Sequence, residues 1–385
     1  MTVKSKQDNL GFCAKLRNST VHSFIGFILF FCSALFLYLN EGNYVAKSNL
    51  LHIAYQKSTY LDVGYKAMFD NKLVHHSGYL TSVEDLTDTY FRISFPCIKL
   101  QRTAEMFQYE EHNSEQENTD GETITTYYYT TLWSSNLIDS RTFDEEIGHQ
   151  NPRSFLVQSK LFSTSNVFID GIKLSKSLID KVNHFKDIKN LPFLPYAIEL
   201  PFTYYENYYY LGSNAANPQI GDIRISFKCA GITQSSIFNE LLPEKITVLA
   251  KYNRDSFSSY HFKELHDYIE LLHYGDKTID EVFSFEHTAN YTKTWMVRIF
   301  GFFMMFASFY LMTNIVYTVI SWIPFVQNIV SAGLFIINLS CAFFFSMLVI
   351  SVSWLWFRPA YSLAIALVAL TPWILSFVLN KRKFN

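Results

Sequence analysis

The stretch SFIGFILFFCSALFLYL, from Ser23 to Leu39, contains no charged residue over 17 consecutive positions. As an α-helix it would rise about 1.5 Å per residue and just cross a hydrocarbon layer of about 30 Å. A short basic region precedes it, as in a secretory signal peptide, but the apolar run continues to Asn40 without the small residues that mark a cleavage site. We therefore predict a tail over residues 1–22 and a transmembrane helix over residues 23–40.

A second apolar block runs from Ile299 to Asn380, and Arg358 is its one charged residue. This length suffices for several membrane crossings. Interfacial residues near Trp322 and again near Trp354 divide it, because Trp and Arg favour the boundary between membrane and water. The block therefore predicts three further transmembrane helices and a basic tail, over residues 299–320, 329–353, 360–379 and 380–385.

The charges outside these helices predict their orientation. The tail before Ser23 carries a net charge of +3, and the C-terminal tail carries three basic residues and no acid. Because basic residues near helix ends stay in the cytosol, both termini are predicted there and residues 41–294 on the lumenal side. The net charge of −10 in this middle segment agrees.

The C-terminal pentapeptide KRKFN resembles a retrieval signal for the endoplasmic reticulum. Lys381 and Lys383 occupy the two lysine positions of a K-x-K-x-x pattern, which acts as an address that other proteins read. An ordinary basic stop after the last helix would look the same, so both interpretations stay open.

The composition excludes several other classes. Of the 385 residues, 49% are hydrophobic and 17% are charged, and the formal net charge is −2. A protein with this balance has no electrostatic attraction to nucleic acid. Its 5 cysteines form no C-x-x-C pair and no zinc spacing, so we expect neither a zinc finger nor a disulfide-built mini-protein.

Residues 41–294 are predicted to form a β-rich domain. Stretches rich in Tyr, Phe, Ile, Val and Thr alternate with polar residues, as expected for antiparallel strands; they are Thr87–Leu100, Glu122–Trp133, Ile220–Ala230 and Lys245–Tyr252. The polar stretch His112–Gly121 ends in Asp-Gly and predicts a hairpin loop. Leu178, Val182 and Phe185 have helical spacing. The predicted fold class is therefore a multi-pass membrane protein of four transmembrane helices, with a large α+β lumenal domain between the first two.

Cys97 and Cys229 are the two cysteines of the predicted lumenal segment. An oxidising lumen would allow them to form one disulfide between two strands. Alternatively, Cys229 continues the alternation of Ile223, Ile225 and Phe227 and is a small core residue. The sequence leaves these two interpretations open.

Two groups of residues could carry chemistry. The stretch Phe143–Pro152 contains three carboxylates and His149, which suggests general acid/base work, although its glycine and Asn-Pro are typical of a solvated turn. His266, Glu270 and His273 would share one face of a helix and could bind zinc, but their neighbours show no helical stripe. We favour structural and surface roles, and we predict no catalytic residue, cofactor or metal ion.

Strings along the chain resemble the LUMA (transmembrane protein 43) family. They occur in that family's order over residues 20 to 380; they are KLQRTAEMFQY (Lys99–Tyr109), FDEEIGHQNP (Phe143–Pro152), LIDKVNHF (Leu178–Phe185), GDIRISF (Gly221–Phe227), HYGDKTIDEVF (His273–Phe283), KTW (Lys293–Trp295) leading into LMTNIVY (Leu311–Tyr317), and WLWFRP (Trp354–Pro359). The second string gives a family motif of unknown role, formed by Asp144, Glu146, Gly148, His149, Asn151 and Pro152.

The resemblance implies a non-enzymatic protein of the endoplasmic reticulum and inner nuclear membrane. It implies self-association, partners such as emerin-like and lamin-associated envelope proteins, and a lumenal fold of OB-like barrels. Small and polar residues on the third predicted helix, among them Gly333 and Asn338, could supply a face for helix association, or they could serve contacts within one bundle. A lumenal metal-dependent hydrolase, a small-ligand sensor and a channel component are the alternative functions.

Overall fold

The computed structural model describes residues 2–6, 12–117, 123–194, 198–234, 241–320 and 324–359. The predicted fourth span and the basic tail with Lys381 and Lys383 lie outside these ranges. The chain forms two compact units. The β unit consists of Met1–Asp8 and Lys57–Ile279, and the helical unit consists of Asn9–Gln56 and Asp280–Asn385.

The helices and strands are numbered in chain order. The helices are α1 (Phe12–Lys57), α2 (Lys176–Lys181), α3 (Ile279–Ile320) and α4 (Pro324–Phe357). The strands are β1 (Thr2–Lys6), β2 (Thr59–Tyr60), β3 (Leu73–Ser82), β4 (Leu86–Asp88), β5 (Ile93–Phe95), β6 (Lys99–Glu117), β7 (Thr123–Ser134), β8 (Lys160–Ser163), β9 (Val167–Ile169), β10 (Ile172–Lys173), β11 (Lys186–Asp187), β12 (Thr203–Tyr205), β13 (Tyr208–Leu211), β14 (Ile223–Ala230), β15 (Ile232–Gln234), β16 (Leu241–Pro243), β17 (Lys245–Asn253), β18 (Ser256–Ser258), β19 (Tyr260–Phe262), β20 (Asp267–Ile269) and β21 (Leu271–Tyr274).

Three long helices form the described part of the helical unit. Leu16–Lys57 of α1, the whole of α3, and Val330–Phe357 of α4 are each long and apolar enough to cross a membrane. The prediction of several membrane helices is therefore confirmed. The helices are longer than the predicted spans: α1 has 46 residues and α3 has 42, so each is more than about 60 Å long against a hydrocarbon layer of about 30 Å.

The parts of α1 and α3 beyond the predicted spans, residues 41–56 and 280–298, pack together and are called the stalk below. Asn290 Nδ2 donates to the Tyr44 carbonyl at 3.1 Å, and Tyr55 Oη donates to Asp280 Oδ1 at 2.7 Å. Residues 41–56 and 280–294 of the stalk were predicted to belong to the β-rich domain. They are helical instead: no proline interrupts either stretch, and the two helices are held together by the side-chain hydrogen bonds between them.

Five strands of the β unit close into a ring. β3 pairs with β9, β9 with β10, β10 with β18, β18 with β17, and β17 with β3. The β10–β18 pairing is parallel and the other four are antiparallel. A core that includes Val74, Ile169 and Val248 fills the ring. Leu178 and Ile179 of α2 join this core, and Ser175 caps the helix by accepting from the Leu178 amide.

A second sheet runs in the order β1, β7, β6, β14, β13, β12, with β8 on β6 and β11 on β14. In β14, Ile223, Ile225, Phe227 and Cys229 are buried while the residues between them are half-buried. This alternation places every second side chain of the strand in a separate core. The β-rich character of the domain is thus confirmed, with two hydrophobic cores in one unit.

The structure corrects two strand predictions. The stretch Thr87–Leu100 is a short hairpin, β4 and β5, followed by the start of β6. The carboxylate of Asp88 causes the turn, because it accepts from the amides of Tyr90 and Phe91 at 2.9 and 3.0 Å. The predicted hairpin forms between β6 and β7, but the polar residues His112–Glu117 continue β6 instead of beginning its loop, since they have partners in β7. The rest of the predicted loop, residues 118–121, lies outside the described ranges.

A buried ion pair holds that short hairpin against β6. The guanidinium Nη1 of Arg102 lies 2.8 Å from both carboxylate oxygens of Asp88, and both residues are nearly inaccessible. Arg102 also donates Nε to the Gln158 carbonyl at 3.0 Å. Arg102 belongs to the string KLQRTAEMFQY, so this residue of the family string has a structural role, which is to pair with Asp88 in the β unit.

Cys97 and Cys229 form a disulfide with their Cα atoms 5.8 Å apart. Both belong to the second core, whereas the adjacent Ile98 and Ala230 belong to the core of the ring. The bond therefore lies where the two cores meet. Gly231 is required there, because it has φ of +88° and a Cβ at this position would lie 2.3 Å from Ile98 Cγ1.

We predict that replacing Cys97 and Cys229 together by alanine lowers the free energy of unfolding by about 2–4 kcal/mol, because the disulfide closes a long loop. Denaturant unfolding of the full-length protein in detergent measures this change. Cys32→Ala, at an exposed free cysteine of α1, is the matched control. Alkylation of both thiols in unreduced native protein would contradict the prediction.

Candidate functional site

The family motif of Phe143–Pro152 forms a loop that Asn151 fastens to the edge of β6. The Tyr109 amide donates to Asn151 Oδ1 at 2.7 Å, and Asn151 Nδ2 donates to the Tyr109 and Ile138 carbonyls at 2.9 and 3.2 Å. The side chain of Asn151 thus takes the place of a neighbouring strand. Its role is to satisfy backbone groups.

Tyr129 of β7 joins the motif loop to Glu111 of β6. Glu111 Oε2 accepts from Tyr129 Oη at 2.7 Å and from the Asp144 amide at 2.5 Å. The ring of His149 stacks on Tyr129 with centroids 3.7 Å apart, and its Nδ1 lies 3.1 Å from the Glu145 carbonyl. Burial and the hydrogen bond to Glu111 raise the pKa of Tyr129, so its hydroxyl remains a donor that holds the loop.

The remaining motif residues shape the turn. The His149 amide donates to the Glu146 carbonyl at 3.0 Å. Gly148 has φ of +90°, a conformation that side chains disfavour. Pro152 lies against Gly221, where an added Cβ would be 3.1 Å from the proline Cγ. The geometry of the loop therefore accounts for the glycine at position 148 and the proline at position 152.

Glu146 lines a cleft of about 390 Å³ next to this loop, together with Asp139, Arg141 and Arg153. Arg141 and Asp139 form a two-bonded ion pair with distances of 2.8 and 2.5 Å. Arg141 lowers the pKa of Asp139 to about 2. Asp139 is therefore ionised at neutral pH and serves as a counterion, which does not suit it to act as a general acid.

The zinc hypothesis for His266, Glu270 and His273 is wrong in its geometry. Glu270 lies between β20 and β21, and His273 is in β21, so the spacing of a helix does not apply to them. The Glu270 carboxylate is buried and accepts from three serine hydroxyls, those of Ser175, Ser177 and Ser259. Within the described ranges, no three His, Cys, Asp or Glu side chains are grouped to hold a metal ion.

An ion pair and an indole hydrogen bond join the three described helices of the helical unit. Arg298 of α3 donates Nε and Nη2 to the two carboxylate oxygens of Glu41 of α1 at 2.7 and 2.8 Å. Trp354 of α4 donates its indole Nε1 to the same carboxylate at 3.0 Å. The Glu41 side chain is 1% exposed and that of Arg298 is 13% exposed. We call these three residues the interfacial cluster.

The cluster lies at the ends of the predicted spans. Glu41 follows the first span directly, Arg298 directly precedes the second, and Trp354 directly follows the third. The ends of the three predicted spans therefore meet at one level, as alternating crossings require. A second cation lies close by, because the Arg358 guanidinium stands 4.5 Å from the ring centre of Tyr44.

Polar side chains also join the helices nearer their opposite ends. Ser23 Oγ donates to the Met312 carbonyl at 3.1 Å, and Asn338 Nδ2 donates to Thr313 Oγ1 at 2.8 Å. A Cβ at Gly26 would lie 2.7 Å from the Ser308 carbonyl oxygen, so glycine permits the close approach of α1 and α3. Asn338 therefore serves the bundle, one of the two roles that its sequence left open.

Sequence reasoning missed the interfacial cluster. Glu41 and Arg298 lie directly outside the first two predicted spans, where charge is otherwise almost absent. The available signal was their opposite charge at the same side of two antiparallel helices. Arg102 and Asp88 were missed for a different reason, because no local pattern relates an arginine to a carboxylate across two turns.

Comparison with known proteins gives one consistent result. A family model described as Transmembrane protein 43 matches residues 106–359. The chain is 32% identical over 372 residues to Transmembrane protein 43 of Rattus norvegicus, covering 95% of this chain and 92% of that protein. It is 32% identical to that of Homo sapiens, covering 94% and 91%, and 25% identical to the Drosophila melanogaster homolog, covering 93% and 95%. No solved structure matches the chain.

We predict that Glu41→Gln destabilises the protein by about 3–5 kcal/mol, because it leaves the buried Arg298 guanidinium without its counterion. The double variant Glu41→Gln, Arg298→Met should be less affected than the single variant, since neither charge remains. Thermal unfolding in detergent measures both. Glu286→Gln is the control, because Glu286 lies 3.8 Å from Lys47 in a half-exposed pair; a single variant as stable as this control would refute the assignment.

Proposed function

The chain belongs to the transmembrane protein 43 family, and from that we propose that it is a non-enzymatic scaffold of the endoplasmic reticulum and inner nuclear membranes. It organises the nuclear envelope by associating with itself and by binding other envelope proteins, of the emerin-like and lamin-associated kinds. Both termini face the cytosol or nucleoplasm, and the β unit lies in the lumen. Lys381 and Lys383 return the protein to the reticulum.

One observation carries the scaffold proposal, which is the outward face of α4. Ala332, Gly333 and Ser340 are exposed on the helical unit, and a Cβ added at Gly333 meets no atom within 4 Å. In a bilayer, small and polar residues of this kind allow two helices to approach closely. The residues of the motif at 143–152 support the non-enzymatic part of the proposal, because their contacts hold a loop in place.

The closed ring of the β unit supports an OB-like barrel. When the ring strands β3, β9, β10, β17 and β18 are numbered 1 to 5 along the chain, they pair in the cyclic order 1-2-3-5-4. The helix α2 lies between β10 and β17 in the chain. A five-stranded barrel of this kind is the basis of the OB fold. We propose that the second sheet, apart from β1, is built from the long insertions between these strands.

The proposed topology has support and one opposing observation. The disulfide requires an oxidising compartment, such as the lumen, around the β unit. Strand β1, however, pairs with residues 123–127 of β7, which a cytosolic N-terminal tail cannot do. The two arrangements exclude each other, so an experiment on the tail distinguishes them.

We predict that a glycosylation sequon inserted in the exposed turn at Gly171 is modified in cells, and that one placed before residue 2 is not. Endoglycosidase shifts on gels measure both. The turn is suitable because Asp170 and Gly171 are exposed, and the sequon is inserted after Gly171 so that the glycine keeps its φ of +78°. Modification of both sites would place β1 with the β unit and reject the cytosolic tail; modification of the tail alone would invert the whole topology.

For self-association, we predict homo-oligomers in mild detergent that weaken when Gly333 is replaced by leucine, with little change in thermal stability. Size-exclusion chromatography with light scattering measures the mass over a range of concentrations. Cys32→Leu, at an exposed position of α1, is the control. A wild type that is monomeric throughout would reject the scaffold mechanism, and unchanged oligomers in Gly333→Leu would move the interface away from α4.

A further inference from the structure

The helical unit contains an open cleft of about 710 Å³ between α1 and α3, at the base of the stalk. Its lining changes in character along the helices. Phe36 and Leu39 of the first predicted span and Val297 lie at one end, and Lys47, Lys293 and Glu286 lie at the other. We propose that this cleft binds one anionic glycerophospholipid of the surrounding bilayer, with its headgroup between the two lysines.

The position of the cleft fits a lipid. Phe36 and Lys47 are separated by 11 residues of one helix, or about 16 Å. The interfacial cluster marks the edge of the hydrocarbon, and Lys47 and Lys293 lie about 9 and 8 Å beyond it along their helices. The polar headgroup layer is about 5–8 Å thick on each side, so both residues lie at its outer edge and their long side chains reach back to the phosphates. Phe36 and Leu39 lie on the hydrocarbon side, where an acyl chain would run.

The charges of the cleft favour an anionic headgroup. Lys47 lies 3.8 Å from Glu286 and is 37% exposed, so this pair is loose. The structure assigns Lys293 no hydrogen bond or ion pair with any residue in the described ranges, and it is exposed to the cleft. Two ammonium groups and one carboxylate give the cleft a net charge of +1, which complements a headgroup of net charge −1 such as phosphatidylserine.

The floor of the cleft is rigid, as a specific site requires. Asn40 Nδ2 donates to the Thr294 carbonyl at 3.3 Å, and Asn290 Nδ2 donates to the Tyr44 carbonyl and to Ser48 Oγ at 3.1 and 3.3 Å. These bonds fix the separation of the two helices. They also engage the amide of Asn290, the acceptor of the sequon Asn290-Tyr291-Thr292, so the proposed lipid site and a glycan on Asn290 would exclude each other.

The test uses full-length protein in mild detergent, titrated with phosphatidylserine or phosphatidylcholine of the same acyl chains and observed by native mass spectrometry. We expect one phosphatidylserine to be retained at least tenfold more tightly than phosphatidylcholine. The double variant Lys47→Gln, Lys293→Gln should bind it about 25-fold more weakly, from roughly fivefold for each basic side chain. Lys176→Gln with Lys189→Gln removes the same charge from exposed positions of the β unit and should bind like the wild type.

Two further measurements test whether the acyl chains are needed for binding and whether weaker binding arises from the cleft itself and not from misfolding. Ala289→Trp fills the headgroup end without changing charge and should also weaken binding, even if the lysine variant is poorly folded. Soluble glycerophosphoserine should not compete at equal concentration, because it lacks the acyl chains. Equal retention of the two lipids, unchanged binding in both cleft variants, or full competition by the soluble headgroup would overturn the proposal.

Discussion

The pairing of Glu41 with Arg298 is the constraint on which the helical unit depends. Neither charge can enter hydrocarbon without a large cost in free energy, and neither can remain unpaired where both are buried. The two residues therefore hold α1 and α3 at one relative height, and the indole of Trp354 fixes α4 at the same height. The packing of Gly26 and the hydrogen bonds of the stalk share this register, so a shift of one helical turn would separate Gly26 from its neighbours and remove the floor of the cleft in the stalk.

Much of the architecture could be predicted from local sequence, since membrane helices and alternating strands are local patterns. The apolar stretch at Ser23–Leu39 and the alternation of Ile223–Ala230 illustrate this. What could not be predicted depends on distant partners. The polar residues from His112 predicted a loop because their partners in β7 are distant in sequence. The stalk was predicted to belong to the β domain because its two helices are stabilised by contacts between segments more than 200 residues apart.

The candidate chemistry could be predicted only as residue types. The composition of Phe143–Pro152 indicates acids, an imidazole and turn residues, but whether these perform reactions or hold a loop depends on what they face. In the structure Asn151 faces the free edge of β6, and His149 faces Tyr129. The pKa of an acidic residue likewise depends on the side chains around it. Asp139 is an ordinary aspartate in sequence, and its lowered pKa comes from Arg141 two residues away.

The closed ring has a consequence for the order in which the chain is assembled during synthesis. β3 must pair with both β9 and β17, and Tyr79 of β3 is matched with Lys245 of β17, so the closing contact is far from local. Such contacts delay folding, since the intervening chain must be ordered first. The barrel cannot close until β18 has left the ribosome, when α3 is the next helix to be made. Cys97 and Cys229 can be joined before that point, which makes the second core the earlier of the two to become complete.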